Sequence, residues 1–366
     1  MSILTKESMV FMEKYLNGAS PVGYESENQK VWMEYLKPYV DEFITDAYGT
    51  AVGVIKGGSN LNNDFDGIQK VMIEAHADEI AWYVNLITPE GLIKVKRNGG
   101  SDHQIAPSKR VNIHTKDGVV KGVFGWPAIH TRRNEDTKIK VDTNFIDVGC
   151  STKEEVEALG IHVGCVITYP DEFMILNENK FVCRAIDNRM GGVMIAEVAR
   201  LLKENNVKLG YDLYIVNSVQ EEIGLRGAEM IANRIKPDLA IITDVCHDSS
   251  TPMIDANIEG DTKIGGGPVI GYSPAIHNLL RDRIIGVAEN NNIKFQRLAM
   301  STSTGTDTDA IAYSNGGVPS ALISLPLRYM HTTVEMVHKD DVENVIDLIY
   351  KTLTNIDKSS NFSYYK

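Results

Sequence analysis

The stretch IVNSVQEEIGLRGAEMIA, residues 215–232, decides the fold class. An apolar strand, Tyr211–Val219, runs into two adjacent carboxylates, Glu221 and Glu222. A helical pattern follows at once, with Ala228, Ile231, Ala232 and Ile235 on one face. In a regular strand two neighbouring acids point to opposite faces. Where the strand breaks into a turn, both can reach one cleft. One can then bind a metal while the other takes a proton from water. Acidic pairs before helices also serve the helix dipole, so the other strand ends decide between the two readings.

Working outward, four more strand ends carry chemistry. In VMIEAHADEI the strand Val71–Ala75 delivers His76 and Asp78, which are two residues apart and face the same way. A metal-bound imidazole is usually held by a carboxylate on its other nitrogen, which this spacing supplies. The strand Phe181–Ile186 ends at Asp187, ahead of a helix carrying Met190, Met194, Val198, Leu201 and Leu202. Asp187 can cap that helix, or act as a ligand at a strand's carboxyl end, where open α/β sheets place their sites. The strand Leu239–Thr243 ends in Asp244, and Val318–Leu325 is followed by Arg328-Tyr329-Met330-His331. Two imidazoles and three carboxylates without sulfur suit Zn, Co or Mn in a catalytic setting. Five ligands are too many for one open site. They suit two ions about 3.5–4 Å apart with one carboxylate bridging. Three carboxylates and a hydroxide balance two divalent charges, and Glu221 remains as the spare acid.

The rest of the chain frames these ends. Residues 5–16 read as a helix with Met9, Met12 and Leu16 on one face, and Ser26 with Gln29 as a capping box for a second helix. Ser273-Pro274 reads as the start of a helix through Ile276, Leu280, Ile284 and Val287. The polar runs 57–67 and 130–140 read as solvated loops. From about Glu79 to Phe173 short strand-like runs alternate with Gly and polar turns, and Lys116-Asp117-Gly118 is a hairpin signal. The expected fold is therefore α/β: an α/β host domain, residues 1–78 and 174–366, with a small β-rich domain inserted at 79–173. His103, His114, His130 and His162 lie in the insert without partner spacing and read as structural or surface residues. The GGGP turn at 265–268 lacks the Lys-Ser/Thr of a phosphate loop. Lys263 beside it reads as a solvated lysine.

Composition sets the class. The 366 residues carry a formal net charge of −12, against nucleic-acid or anionic-membrane surfaces, which attract basic patches. No apolar run is long enough to span a membrane, and the N-terminal stretch lacks the apolar core of a signal peptide. Cys150, Cys165, Cys183 and Cys246 show no CxxC spacing and read as thiols in a reducing, cytoplasmic setting.

With these residues in hand, the sequence resembles the self-compartmentalising aminopeptidases of the TET type, also called deblocking or glutamyl aminopeptidases, whose members often bear endoglucanase labels. The matching strings are EAHADEI (74–80), RAIDNRMGG (184–192), SVQEEIGLRGA (218–228), IITDV (241–245), GGGPVI (265–270), TGTDTDAI (304–311) and ALISLPLRYMHTTVEMVHKDD (321–341). The resemblance implies that His76, Asp187 and Asp244 hold one ion and Asp187, Glu222 and His331 a second, with Asp187 as the bridge. It implies Glu221 as general base on a water bridging the ions, and Asp78 as the acid behind His76. It further implies a three-layer α/β/α catalytic domain, a barrel-like dimerisation domain in the insert, dimers assembling to a dodecamer, and release of N-terminal residues from short peptides. Ala81-Trp82 departs from the family's usual Gly and plainer apolar residue, and touches no ligand.

Two other functions compete. A glycosidase needs two opposed carboxylates across a sugar, not a His/Asp/Glu metal set. A non-enzymatic, metal-bound assembly or binding module would keep the ligands but has no use for Glu221.

Overall fold

The computed structural model describes residues 2–57, 68–132, 138–357 and 360–365. The loop read at 57–67 lies outside the described residues except for Gly57, and so do residues 133–137 of the loop read at 130–140. The chain opens with α1 (Lys6–Asn17), α2 (Ser26–Leu36), β1 (Glu42–Thr45), β2 (Ala51–Ile55) and β3 (Lys70–His76). Then come β4 (Ala81–Ile87), β5 (Ile93–Asn98), β6 (Arg110–Thr115), β7 (Gly118–Phe124), β8 (Phe145–Asp147), α3 (Lys153–Ala158) and β9 (Val166–Thr168). Next are β10 (Met174–Leu176), β11 (Lys180–Cys183), α4 (Ile186–Glu204), β12 (Asp212–Ser218), α5 (Arg226–Ile235) and β13 (Leu239–His247). The chain closes with α6 (Ala256–Glu259), β14 (Val269–Tyr272), α7 (Asn278–Asn290), β15 (Gln296–Ala299), α8 (Thr308–Ala312), β16 (Ser320–Leu327), β17 (Glu335–His338) and α9 (Lys339–Asn355).

Eight strands form one sheet in the order β1-β2-β12-β3-β13-β16-β14-β15. Its centre, β12-β3-β13-β16, is parallel. The central strands are buried on both sides, and alternate residues serve different layers. Val71, Ile73 and Ala75 of β3 pack with α1, α4 and α9, while Met72 packs with α5 on the opposite face. Helix α5 buries Ala228, Ile231, Ala232 and Ile235 against that face, as its spacing predicts. Each buried isoleucine there contributes roughly 1.5–3 kcal/mol. Layers of helix on both faces of the sheet make the three-layer α/β/α body.

The inserted strands close into an antiparallel barrel, β4-β5-β8-β7-β6-β9. Its own core contains Trp82, Ile113, Phe124 and Ile167. The Trp82 indole N–H donates to the Tyr169 hydroxyl at 3.1 Å, which satisfies the buried polar atom. Lys116 and Asp117 form the turn between β6 and β7. A third, three-stranded sheet, β10-β11-β17, joins the end of the insert to the site-bearing C-terminal half.

Three local expectations are corrected. The Ser26–Gln29 pair forms no capping box: Glu25 is the N-cap of α2 and makes no side-chain cap bond. The reciprocal box sits instead on α1, between Thr5 and Ser8. Helix α7 begins at Asn278, not at Pro274, because the His277 N–H is tied to Ser320 O of β16 at 2.8 Å. Strand β13 does not end before Asp244. It pairs with β3 only as far as Ile242↔Glu74, then continues beside β16 to His247↔Leu327. The parting of β13 from β3 opens a notch at the carboxyl end of β3, and Asp244 lines it. Among the described residues no helix is long and apolar enough to cross a membrane.

Candidate active site

The site lies at the carboxyl ends of the parallel strands, where the sheet's helices leave room for a ligand. Strand β3 ends in His76 and β13 carries Asp244. Asp187 sits at the start of α4, with non-helical dihedrals (φ −70°, ψ 110°) that keep it ahead of the regular helix. Glu221 and Glu222 form a single 3₁₀ turn between β12 and α5, and His331 follows β16. These six side chains converge. His76 Nε2 lies 3.2 Å from Asp187 Oδ1, 3.8 Å from Glu221 Oε2 and 3.9 Å from Asp244 Oδ1. His331 Nε2 lies 3.3 Å from Asp187 Oδ2 and 3.4 Å from Glu222 Oε1. Ligand atoms of His76, Asp187 and Asp244 fall within 4.8 Å of one another, as do those of Asp187, Glu222 and His331. His76, Glu221 and Glu222 form a third such group. The two oxygens of Asp187 face the two imidazoles separately.

Clamps behind these side chains were not legible in the sequence. Asp78 accepts the Glu221 N–H at 3.0 Å on one oxygen and the Glu222 N–H at 3.1 Å on the other. It also stands 3.5 Å from His76 Nδ1. The residue expected to steady one imidazole therefore also pins the turn that carries both glutamates. Glu335 does the same across the site, accepting the Asp187 N–H at 3.0 Å and the His331 N–H at 2.7 Å. A glutamate four residues beyond His331, in a run otherwise apolar at alternate positions, was the available signal. Deeper still, Ser218 Oγ is 2.7 Å from both Glu74 Oε1 and Asp307 Oδ2. Burial, then the adjacent Asp307, pushes the Glu74 carboxyl well above its usual range. A charge-bearing residue inside the apolar run of β3 had marked it. The insert reaches the site as well. A methyl on Gly100 would stand 2.8 Å from His331 Nδ1, and one on Gly99 3.3 Å from Glu222 Cβ. The NGG turn after β5 is thus bare of side chains where it presses on two of the site residues.

The electrostatics show what the donor set lacks. Burial, opposed by His76 and reinforced by Asp244, Asp307 and Glu222, drives the Glu221 carboxyl up to about 10. Burial likewise raises Asp244 and Glu222. Burial opposes ionisation of Asp187 too, but bonds with His331 and His76 hold its carboxyl below the ordinary range. Burial lowers His331, yet Asp187 and Glu222 outweigh it and lift the imidazole to about 11. One imidazole nitrogen faces three carboxylates at His76, more acceptors than a single N–H can serve. Four carboxylates and two imidazoles crowded in low dielectric are short of positive charge, and hard-to-borderline divalent cations with O/N ligands fit that deficit.

The six residues floor a cleft of about 750 Å³ walled by β13, α6, the β15–α8 loop and Met330. The other sequence candidates lie elsewhere. His114 bonds Thr168 and His162 its own neighbour Val163 in the barrel. The amides of Gly265 and Gly267 are taken by the Asp341 carboxylate, at 2.5 and 2.8 Å, so that glycine turn already holds an internal anion. Lys263 is exposed and pairs with Asp261 at 2.8 Å. All four cysteines are free.

The model of the peptidase family described as M42 glutamyl aminopeptidase matches residues 59–348. A lysyl aminopeptidase of Pyrococcus furiosus is 33% identical over 341 residues, 92% of this chain and 94% of that protein. The crystal structure of a TET aminopeptidase from a marine-sediment Thaumarchaeota archaeon superposes with a TM-score of 0.89 at 30% identity, covering 96% of this chain and 97% of that one. The TET1 peptidase of Pyrococcus horikoshii, described as able to assemble into a tetrahedron or a large octahedral shell, superposes with a TM-score of 0.82 at 26% identity, covering 95% of this chain and 100% of that one. The chain belongs to the M42 glutamyl aminopeptidase family and is accordingly an aminopeptidase, a hydrolase acting on peptide bonds.

Proposed function

We propose that the chain is a two-metal aminopeptidase that releases N-terminal residues from short peptides, in the cytoplasm. The observation that carries this reading is the sharing of Asp187 between two ligand groups with Glu221 alongside. His76, Asp187 and Asp244 would hold one divalent ion, and Asp187, Glu222 and His331 the other; Zn, Co and Mn suit these donors. When bound, two such ions supply Lewis acidity toward the scissile carbonyl and toward water.

The chain's own groups do the rest. Glu221 stands at the edge of the cleft and belongs to neither of the two ligand groups just named; bound divalent ions would supply the positive charge that its buried carboxyl needs in order to ionise. It takes a proton from the attacking water as the new C–O bond forms. It returns that proton to the leaving amine as the C–N bond breaks. Asp78 fixes Glu221 and Glu222 through their amides, so the base stays aimed while its neighbour binds. Glu335 fixes the backbones of Asp187 and His331 in the same way.

We assign residues 1–78 and 174–366 to the catalytic domain and 79–173 to a dimerisation domain. We further propose homo-oligomers in which dimers build a dodecamer. The assembling TET1 relative and the exposed valines Val119, Val123 and Val163 of the insert support this reading. The names of the relatives point both to lysyl and to glutamyl substrates, so they leave the side-chain preference open.

Chelator-stripped protein with Zn, Co or Mn added back, assayed on a panel of aminoacyl-p-nitroanilides, tests the function. Metal-restored release is expected. Silence with every metal on folded, metal-loaded protein would replace this reading with that of a metal-bound binding module.

A further inference from the structure

The outer walls of the cleft carry charge of one sign. Beyond the six central residues, its lining offers apolar surface from Leu298, Met300 and Ile258, hydroxyls of the 301–306 loop, and two carboxylates, Asp309 and Glu259. None of the described lining residues is lysine or arginine. The outer walls also carry one imidazole, His247. The two carboxylates differ in what they already do. Asp309 is committed to its own loop, accepting the Thr304 N–H at 2.9 Å and the Gly305 N–H at 3.1 Å. Glu259, at the end of α6, is exposed and has no ion-pair partner among the described residues.

The position of Glu259 follows from its neighbour. Gly260 has φ +87°, and a methyl there would meet Leu298 Cδ1 at 2.4 Å. The turn after Glu259 therefore lies directly on the apolar wall formed by Leu298, with Met300 two residues along the same strand and loop. Glu259, Leu298 and Met300 line the same cleft, so a side chain entering it meets both an apolar wall and a free carboxylate. A lysine or arginine side chain has this make-up: apolar methylenes that bury and a charged head that stays in water.

We propose that Glu259 is a specificity residue, and that the cleft favours peptides with a basic or uncharged N-terminal residue and disfavours acidic ones. The inference rests on the aminopeptidase reading above and adds the substrate class to it. An acidic side chain would enter a cleft whose outer walls hold carboxylates and, among the described lining residues, neither lysine nor arginine to offset its desolvation. A leucine would use the Leu298–Met300 wall alone. A lysine would use the wall and the carboxylate.

The test compares kcat/KM for lysyl-, leucyl- and glutamyl-p-nitroanilide on the full-length, metal-loaded protein at low and moderate salt. The expected order is lysyl at or above leucyl, with glutamyl at least about tenfold below leucyl. In Glu259→Gln the lysyl-to-leucyl ratio should fall about three- to fivefold, carried by KM, as suits one solvent-exposed ion pair. The salt dependence of that ratio should fall with it. Glu259→Lys should lower the ratio further and raise the glutamyl rate relative to leucyl. Glutamyl release faster than lysyl, or a lysyl-to-leucyl ratio untouched by both substitutions, overturns this inference alone, since leucyl release still stands. Release of none of the three overturns the aminopeptidase reading and this inference together.

Discussion

The two halves of the site are built differently. His76 and Asp244 stand on regular strands of the central sheet, and the His76 side chain is 2% exposed. Glu222 and His331 stand on turns, and the His331 side chain is 34% exposed. Positive φ marks those turns and the approach to Asp187: Ala185 at 53°, Gln220 at 59°, Leu225 at 62°, Tyr329 at 62° and His331 at 61°. Each such non-glycine conformation costs on the order of 1–3 kcal/mol and persists only where neighbours impose it. The sheet holds the first half by its ladder bonds. The second half is held by two carboxylates, Asp78 and Glu335, and by the bare glycine turn of the barrel. The lesson is that a loop-borne residue needs a backbone clamp that a strand-borne one does not, and here both clamps also reach the other half, Asp78 at His76 and Glu335 at the shared Asp187.

The largest effect is expected at the group that serves both halves. Glu221→Gln should lower kcat about 10²–10⁴-fold, the range of a lost general base, while leaving bound metal in place; turnover close to that of the parent would remove Glu221 from its role. Next comes Asp78→Asn, which turns an acceptor of two amides into a group that can accept only one well. A loss of roughly 10–100-fold in activity or metal affinity is expected at both ions, since Asp78 holds the Glu222 amide and also stands 3.5 Å from His76 Nδ1. Unchanged metal affinity and activity in Asp78→Asn would remove Asp78 from that role. Glu335→Gln should cost about tenfold by the same logic, since the Asp187 and His331 amides lose one charged acceptor. Smallest is Gly100→Ala, whose methyl displaces the His331 ring. A fall of a few-fold in activity is expected at unchanged global stability, read by thermal unfolding alongside the rate. A Gly100→Ala protein indistinguishable from the parent would show that the barrel turn merely passes by the site.

The same asymmetry governed what could be read from the sequence. Strand-borne residues were legible because short continuous apolar runs such as VMIEAH and LAIITD announce both the strand and where it delivers its polar end. The helices α4 and α5 were legible from their roughly 3.6-residue spacing. The boundary of β13 was misjudged because Asp244 reads as a strand end, whereas pairing with β16 carries the strand on to His247. The start of α7 was misjudged because Ser-Pro is a local signal, and a bond from His277 to β16 overrides it. Asp78 was found for its proximity to His76. Its hold on the Glu221–Glu222 turn depends on residues 143 and 144 positions away, which no local pattern encodes. Gly99 and Gly100 fall among the Gly and polar turns of the insert, and only the docking of the barrel on the host gives them a role.

The measurement that goes most directly to the central claim is metal content per chain, with activity, in the parent protein and in His331→Ala and His76→Ala. Two divalent ions are expected in the parent. His331→Ala should keep the ion assigned to His76, Asp187 and Asp244 and lose the other, with activity collapsing in step. A parent protein fully active with a single ion, or a His331→Ala protein that keeps two ions and full turnover, would contradict it.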